Sequence, residues 1–290
     1  MIIARTKEDL RHAMREMAGD GRSIGFVPTM GYLHEGHASL LTAAREQCEV
    51  TVLSIFVNPL QFGVNEDLEV YPRDEARDVA IAESCHTDIV FIPSVQEMYP
   101  TRPLTSVKVS EITEELCGAS RPGHFDGVGI VIAKLFHLVK PHRAYFGMKD
   151  AQQVAVIEQM VHDLDFDVEI VRMPTVREAD GLAMSSRNVR LSAEQRHQAL
   201  VLSNVLKDAG FWLKQPEMTV DSLLEAVRTE IGKMDEAEID YVELMQYPSL
   251  QRVPANQRLL EASGTVILAL AVKFGATRLI DNALYTIGER

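Results

Sequence analysis

In the first two-thirds of the chain, segments whose apolar residues follow the spacing of a strand alternate with segments whose apolar residues follow the spacing of a helix. Runs rich in apolar residues at 23–28, 50–57 and 88–93 predict strands. The run at 50–57 is too apolar for a half-exposed strand, so we expect it to be a parallel strand covered on both faces. Thr6 is a candidate N-cap for a helix whose apolar face includes Leu10 and Ala13. Further helices are predicted at residues 37–48, 73–84, 129–139 and 152–164, and further strands at residues 143–146 and 168–172. This alternation predicts an α/β fold built on a doubly wound parallel sheet.

The pattern changes near residue 175. Ser192 followed by Gln195 matches a capping box, which predicts a helix that runs to about residue 212, before a second helix near residues 220–234. Three strand-like runs follow, at residues 241–247, 265–274 and 277–284. Helices followed by a group of strands predict a small α+β unit. We therefore expect a Rossmann-like ligand-binding domain over residues 1–175 and a smaller C-terminal α+β domain over residues 176–290 that forms a lid over the site.

Length and composition limit the class of protein. The 290 residues, 46% of them apolar, suffice for a substantial core, and no apolar run reaches the roughly 20 residues that a helix needs to cross a bilayer. The first residues carry no secretory pattern, so we expect a cytoplasmic protein. Cys48, Cys85 and Cys117 are widely spaced and form no CxxC pair, which favours reduced thiols over a disulfide framework or a catalytic cysteine.

The net charge limits the partners. At −13 the protein repels nucleic acid at long range, so we expect no nucleic-acid partner. The same field repels ATP and carboxylates. A site for anionic substrates would therefore need its own local positive charge.

The most informative segment is residues 28–37, with the sequence PTMGYLHEGH, between a predicted strand and the next helix. His34 and His37 flank a glycine at the start of that helix, where backbone N–H groups and the helix dipole favour anions. Gly31 and Gly36 would let a ligand approach the backbone closely. Imidazoles at this position can donate hydrogen bonds to phosphate oxygens and stabilise charge that develops during phosphoryl or nucleotidyl transfer.

Two other interpretations of this segment stay open from the residues alone. The two histidines are three residues apart, a spacing that also occurs in metal sites, although the zincin pattern HExxH does not match. They could also be polar residues of a turn whose hydrogen bonds are satisfied within the chain.

This segment resembles the HIGH-type signature of the nucleotidyltransferase superfamily, which includes class I aminoacyl-tRNA synthetases and several adenylyltransferases. The partner of that signature is a basic loop resembling KMSKS, and residues 184–188 (MSSRN) match that role. Arg187 stands where a lysine is usual. Because an arginine can clamp phosphate oxygens in a fork, the chemistry survives this departure.

Four further stretches narrow the resemblance to one family. They are residues 54–63 (SIFVNPLQFG), 121–128 (RPGHFDGV), 145–153 (YFGMKDAQQ) and 174–188 (PTVREADGLAMSSRN). Together with the first segment they resemble the pantothenate synthetase (pantoate–β-alanine ligase) family from end to end. The resemblance implies an ATP-dependent condensation of (R)-pantoate with β-alanine, which gives pantothenate, AMP and pyrophosphate through a pantoyl-adenylate. It also implies a homodimer. Mg²⁺ is expected with ATP, although no carboxylate is singled out as its ligand.

The resemblance implies roles for individual residues. His34, His37, Lys149 and Arg187 would form the catalytic set, with His37 as the proton donor. Gln61 would bind both pantoate and β-alanine, Gln153 would bind pantoate, and Asn58 is a further candidate for substrate binding. The residues implied to bind ATP are Met30, Gly31, Tyr32, Leu33, His34, Glu35, Gly36, His37, Gly147, Met148, Lys149, Asp150, Val176, Met184, Ser185, Ser186 and Arg187.

Some of these roles make chemical sense without the family. Asn58 and Gln61 follow a strong strand, and amides can bind a hydroxy acid without adding negative charge, although Asn58 could instead only shape a turn. Lys149 supplies a mobile positive charge, whereas a lone lysine more often only solvates the surface. Arg121 could belong to a lid or merely to the surface.

The resulting hypothesis is two half-reactions at one site, in which an acid is adenylated and then transferred to an amine. Two other functions stay open. Another small-molecule nucleotidyltransferase would share both phosphate loops but lack the amide positions of residues 54–63 and 145–153. A non-catalytic nucleotide-binding protein would bind ATP and release no pyrophosphate. A tRNA ligase is disfavoured by the net charge of −13 and by the lack of room for an anticodon-binding domain.

Overall fold

The computed structural model describes residues 1–19, 21–63, 66 and 68–288. Short 3₁₀ turns occur at Pro59–Gln61, Met148–Asp150 and Asn188–Arg190. The helices and strands, in chain order, are β1 (Ile2–Ala4), α1 (Lys7–Ala18), β2 (Ile24–Thr29), α2 (Glu35–Gln47), β3 (Val50–Ile55), α3 (Glu75–Ser84), β4 (Ile89–Phe91), α4 (Val95–Met98), α5 (Cys117–Ser120), α6 (His124–Val139), β5 (Arg143–Gly147), α7 (Ala151–Asp163), β6 (Glu169–Met173), α8 (Ala193–Ala199), α9 (Val201–Trp212), α10 (Val220–Ile231), β7 (Ala237–Gln246), β8 (Gly264–Phe274) and β9 (Thr277–Ile287).

The first six strands form one parallel sheet in the order β1-β4-β3-β2-β5-β6. This arrangement confirms the predicted doubly wound sheet. The direction of winding reverses at β2, which has β3 on one side and β5 on the other. A crevice opens at such a switch point beyond the carboxyl ends of the strands, and ligands bind there in this class of fold.

Both faces of this sheet are covered, as the apolar run of β3 predicts. Successive side chains of a strand point to opposite faces, so Phe26 and Val27 enter different hydrophobic clusters. Phe26 packs in a cluster that includes α1, α6 and α7, whereas Val27 packs in a cluster with Leu41 of α2. Both side chains are fully buried.

The last three strands form a separate antiparallel sheet in the order β7-β8-β9, which confirms the second, smaller α+β unit. On β8, Leu268 and Leu270 face a cluster built with α8, α9 and α10. Ile267 and Ala269, which alternate with them, join the cluster that includes α7 of the first sheet. The small sheet therefore packs with one face on its own helices and with the other toward the large sheet. The domain boundary near residue 175 stays a prediction.

Several elements differ from the predictions. β1, α4 and α5 were not predicted, because three or four residues are too short for a recognisable pattern. The helix expected from residue 129 begins at His124, and Gly127 within it allows α6 to approach the backbone of Leu60, which a Cβ there would meet at 2.3 Å. The single helix expected from residue 192 to 212 is interrupted at Leu200, whose N–H bonds to the carbonyl of His197, only three residues earlier. No helix in the described part of the chain is long and apolar enough to span a membrane.

Candidate active site

Two adjoining cavities lie beyond the carboxyl ends of β2, β5 and β6. The smaller has a volume of about 230 Å³ and is lined by His34 and His37, by Gln61 and by residues 184–187. The larger, of about 510 Å³, reaches the small sheet. The residues that line both cavities are Arg121, His124, Lys149, Asp150, Gln153, Ser185 and Arg187.

His34 and His37 stand together at the start of α2. Their ring centroids are 4.0 Å apart, and the backbone N–H of His34 donates to Nδ1 of His37 at 3.3 Å. Gly36 is needed beneath them, because a Cβ at this position would lie 2.9 Å from the ring of His34. The Nδ1 atom of His34 is buried and has no hydrogen-bond partner among the described residues. A buried polar atom of this kind, inside a cavity, marks a position where a ligand can bond.

Asp78 of α3 fixes the turn that leads into this segment. Its buried carboxylate accepts hydrogen bonds from the backbone N–H groups of Tyr32, at 2.8 Å, and Leu33, at 2.6 Å. Burial raises the pKa of Asp78, and these two N–H groups act in the opposite direction. Gly31 has a φ of +82°, which favours glycine, and a Cβ there would meet the Asp78 carboxylate at 2.9 Å.

The two segments that are predicted to bind phosphate, residues 28–37 and residues 184–188, contact each other. The backbone N–H of Gly36 lies 3.3 Å from the sulfur of Met184, which is 148 residues away in the chain. Met184 itself is tied to Val176 by a backbone hydrogen bond of 3.0 Å. The guanidinium of Arg187 lies 5.8 Å from the centroid of the Tyr71 ring. The basic loop and the histidine segment therefore form walls of the same cavity.

The amide residues after β3 are held in a buried network. The amide nitrogen of Asn58 donates to the side-chain oxygen of Gln61 at 3.1 Å and to the carbonyl of Gly127 at 3.0 Å. The Asn58 side-chain oxygen accepts from the hydroxyl of Tyr99 at 3.0 Å. Asn58 is thereby committed to partners within the chain, whereas Gln61 lines the smaller cavity and its NH₂ group lies 3.2 Å from the sulfur of Met30.

The positive charge of the site comes from its lysine and arginines. Burial, together with the charge of the nearby Lys149, lowers the pKa of His34 to about 4. Burial, together with His34 and Lys149, holds the pKa of His37 well below its usual value. Both imidazoles are therefore neutral at neutral pH. Lys149, Arg187 and Arg121 supply the local positive charge that anionic substrates require in a protein of net charge −13.

Arg121 and His124 are linked to the amide network. Nδ1 of His124 lies 2.8 Å from the backbone carbonyl of Gln61, and its Nε2 lies 3.1 Å from a guanidinium nitrogen of Arg121. Arg121 also forms an ion pair with Glu66, with one bond of 2.9 Å. A carbonyl only accepts and a guanidinium only donates, so His124 is a neutral imidazole with its proton on Nδ1. Burial, followed by the charge of Arg121, lowers the pKa of His124 to about 4.

Most of the residues expected from the sequence line the smaller cavity. Six of them line neither cavity: Asn58, Gly31, Tyr32, Leu33, Glu35 and Met148. Leu33 is a fully buried core residue, and Glu35 is exposed. The assignments of individual residues to ATP and to the two acids stay predictions.

Several residues that shape the site were not expected. Asp78 offers no sequence signal, since it lies in an ordinary helix, and Tyr71 lies outside the recognised stretches. Asp281 and Asn282 carry a signal that sequence reasoning passed over: two adjacent polar residues interrupt an apolar strand of the small sheet. Among the described residues, no group of three or more His, Cys, Asp or Glu side chains is arranged to hold a metal ion. Cys48, Cys85 and Cys117 are free thiols.

The chain is similar to known proteins along nearly its whole length. The family model described as pantoate-beta-alanine ligase matches residues 2–284. A pantothenate synthetase of Pelotomaculum thermopropionicum is 53% identical over 284 residues, which cover 98% of this chain and 99% of that protein. One of Desulfitobacterium hafniense is 52% identical over 282 residues, with 97% and 98% coverage.

Solved structures show the same fold. The pantothenate synthetase of Thermus thermophilus superposes with a TM-score of 0.89 at 44% identity, covering 98% of this chain and 99% of that one. The pantoate-beta-alanine ligase of Francisella tularensis, complexed with beta-gamma ATP and beta-alanine, has a TM-score of 0.79 at 33% identity. That alignment covers 98% of this chain and 97% of the other.

Proposed function

The chain belongs to the pantoate–β-alanine ligase family, and from this premise we propose how its residues divide the reaction between them. Its activity is the ATP-dependent condensation of (R)-pantoate with β-alanine to pantothenate, AMP and pyrophosphate through a pantoyl-adenylate. The observation that carries the assignment is the contact between Gly36 and Met184, which brings both phosphate loops to one cavity.

In the first half-reaction, the pantoate carboxylate attacks the α-phosphorus of ATP and pyrophosphate leaves. Lys149 and Arg187 would bind the phosphates as cations, while His34 and His37 would donate hydrogen bonds as neutral imidazoles. An anionic triphosphate beside the rings would raise their pKa values, because a negative charge favours the protonated imidazole. His37 could then protonate the departing pyrophosphate. Donors that are already in place stabilise this charge without reorganising during the reaction.

Gln61 and Gln153 would hold the acids. The Asn58 amide orients Gln61 before any substrate arrives, so less freedom is lost when pantoate binds. The smaller cavity also has apolar walls, which include Phe56, Val128 and Ile132. Such walls suit the two methyl groups of pantoate.

In the second half-reaction, the amine of β-alanine attacks the adenylate carbonyl and AMP leaves. Water must be excluded at this stage, or the mixed anhydride is hydrolysed. We assign this task to the smaller C-terminal domain, which would form a lid over the site. Mg²⁺ would arrive as part of the substrate, bound mainly by phosphate oxygens and water.

A cytoplasmic homodimer is proposed on the family resemblance. Light scattering during size-exclusion chromatography measures the mass in solution. A homodimer should have about twice the 32.4 kDa mass of the chain, and a mass of 32.4 kDa would exclude it.

The function is tested by coupled AMP-release and pyrophosphate-exchange assays in which pantoate, β-alanine and ATP are omitted in turn. AMP release should require all three, whereas exchange should require pantoate and ATP but not β-alanine. Exchange that is independent of pantoate would indicate another nucleotidyltransferase. ATP binding without pyrophosphate release would indicate a binding protein.

A further inference from the structure

Strand β9 carries two adjacent buried polar residues, Asp281 and Asn282, between apolar neighbours. Consecutive side chains of a strand point in opposite directions, so the two residues reach different surroundings. Buried polar groups are retained at a cost unless they are fully bonded, and here each has specific partners. Those partners belong to the two loops that carry Lys149 and Arg187.

Asp281 holds the base of the basic loop. Its carboxylate accepts two hydrogen bonds from the guanidinium of Arg177, at 2.6 and 3.0 Å. Arg177 also donates to the carbonyl of Gly181 at 3.2 Å and forms a β-bridge with Ala183. The arginine thus closes residues 177–183 into a tight turn, and the chain leaves this turn directly into residues 184–187. The side chain of Asp281 is 2% exposed, so the pair is shielded from solvent.

Asn282 holds the turn that carries Lys149. Its single NH₂ group donates to two consecutive backbone carbonyls, those of Met148 at 2.9 Å and Lys149 at 2.8 Å. These carbonyls belong to the 3₁₀ turn Met148–Asp150, from which the side chain of Lys149 enters both cavities. Asn282 therefore sets where the backbone of Lys149 lies relative to β9.

We propose that Asp281 and Asn282 are positioning residues, through which β9 of the small sheet places Arg187 and Lys149, respectively, beside the substrate. This inference rests on the roles proposed above for those two cations. Because the anchors are neighbours in one strand, neither loop can shift without straining its bond to the same short piece of backbone. A misplacement of about 1 Å can cost about 10²-fold in rate, so the placement of each phosphate-binding cation matters for adenylation.

The test is a set of double-mutant cycles read as kcat of pantoate-dependent pyrophosphate exchange. Asp281→Asn and Asn282→Ala should each lower kcat by about 10- to 100-fold. If Asp281 acts through Arg187, Asp281→Asn should cost nothing further in the Arg187→Ala background but its full effect in the Lys149→Ala background. Asn282→Ala should behave in the opposite way, with no further cost beside Lys149→Ala. If a residue has a merely structural role, its substitution should lower kcat by the same factor in the Arg187→Ala and the Lys149→Ala backgrounds.

Glu158→Gln is the matched control, since Glu158 also accepts two hydrogen bonds from an arginine, Arg172, at 2.6 and 2.7 Å, and neither residue lines a cavity. It should change kcat by less than about twofold. All variants are assayed below their measured unfolding midpoints. If Asp281→Asn does not fold, Arg177→Lys replaces it, because lysine cannot form the two-pronged bond.

The outcomes separate the two levels of inference. Near-normal exchange by both Lys149→Ala and Arg187→Ala would overturn the proposed roles of these cations. Impaired single variants combined with multiplicative effects in all four pairs would overturn the positioning role of β9 and leave the proposed function intact. The inference is supported if Asp281→Asn has no further effect only beside Arg187→Ala, and Asn282→Ala has none only beside Lys149→Ala.

Discussion

The carboxylate of Asp78 holds the backbone N–H of Leu33 at 2.6 Å across 45 residues of chain, immediately before His34. Replacing Asp78 with asparagine leaves one acceptor oxygen and turns an NH₂ group toward the second N–H. We expect the free energy of unfolding to fall by about 1–3 kcal/mol, because a buried N–H loses its partner. Pyrophosphate exchange should fall at least about tenfold, since the turn that positions His34 loosens. Chemical denaturation and exchange kinetics measure the two effects.

Asp74→Asn is the control for this change. Asp74 caps the same helix by accepting from the N–H of Arg77 at 3.1 Å, and asparagine caps a helix about as well. This variant should resemble the parent in both measurements. A parent-like exchange rate in Asp78→Asn would show that the turn does not depend on the carboxylate.

Gly36→Ala separates helix stability from catalysis. Gly36 lies in the first turn of α2 with an ordinary helical backbone, so alanine should stabilise the helix by up to about 1 kcal/mol. The new methyl group would meet the His34 ring at 2.9 Å and displace it. We expect exchange to fall by about 10²-fold, the usual effect of losing one such donor, with no loss of unfolding temperature.

Gly210→Ala, in α9, is the matched control, because its added methyl group makes only an ordinary contact of 3.6 Å with Tyr285. It should stabilise the protein and leave exchange unchanged. Undiminished exchange in Gly36→Ala would mean that the position of the His34 ring is not critical.

His37→Ala should reduce pyrophosphate exchange by about 10²–10³-fold while the protein folds normally. The reason is the loss of a hydrogen-bond donor next to the phosphates, not the loss of a resident charge, since the pKa of His37 is well below its usual value. His137→Ala is the control. His137 lies on α6 outside both cavities and bonds only to the carbonyl of Ala133 among the described residues. Equal rates for the two variants would remove His37 from the catalytic set.

Sequence reasoning succeeded where a pattern was long or a motif was local. The apolar run of β3 is unmistakable, and the glycines and histidines of residues 28–37 sit within ten positions of one another. The pairing of this segment with residues 184–187 came from resemblance, because no local rule predicts a contact across 148 residues.

What escaped sequence reasoning depends on tertiary neighbours. Asp78 is an ordinary helix residue until the fold places it under Leu33. For Asn58, an amide at the end of a strand predicts a substrate contact, and the structure adds that its side chain bonds to Gln61, Gly127 and Tyr99. The sequence gives the functional group of such a residue, but the hydrogen-bond partners of that group depend on how the helices pack on the sheet.

Asn58→Ala tests which of these two roles dominates. The variant leaves the hydroxyl of Tyr99 and the carbonyl of Gly127 without their partner, so we expect a loss of about 1–3 kcal/mol in the free energy of unfolding. The KM for pantoate should rise, because Gln61 is no longer oriented. Tyr99→Phe removes one bond of the network and keeps the bond to Gln61, so it should lose stability with an unchanged KM. A fully stable Asn58→Ala with a raised KM would indicate direct substrate binding instead.

The pH dependence of stability should report on His124. Its pKa is about 4 in the folded protein, below the usual 6.5, so the unfolded chain binds more protons between these values. The stabilisation is complete above pH 6.5 and is lost as the pH falls toward 4, by at most about 1.4 kcal/mol per pH unit for this group. In His124→Asn the amide can still bond to the Gln61 carbonyl but does not titrate, so the decline should be shallower. Parallel curves of unfolding free energy against pH for parent and variant would exclude this histidine as a source of acid sensitivity.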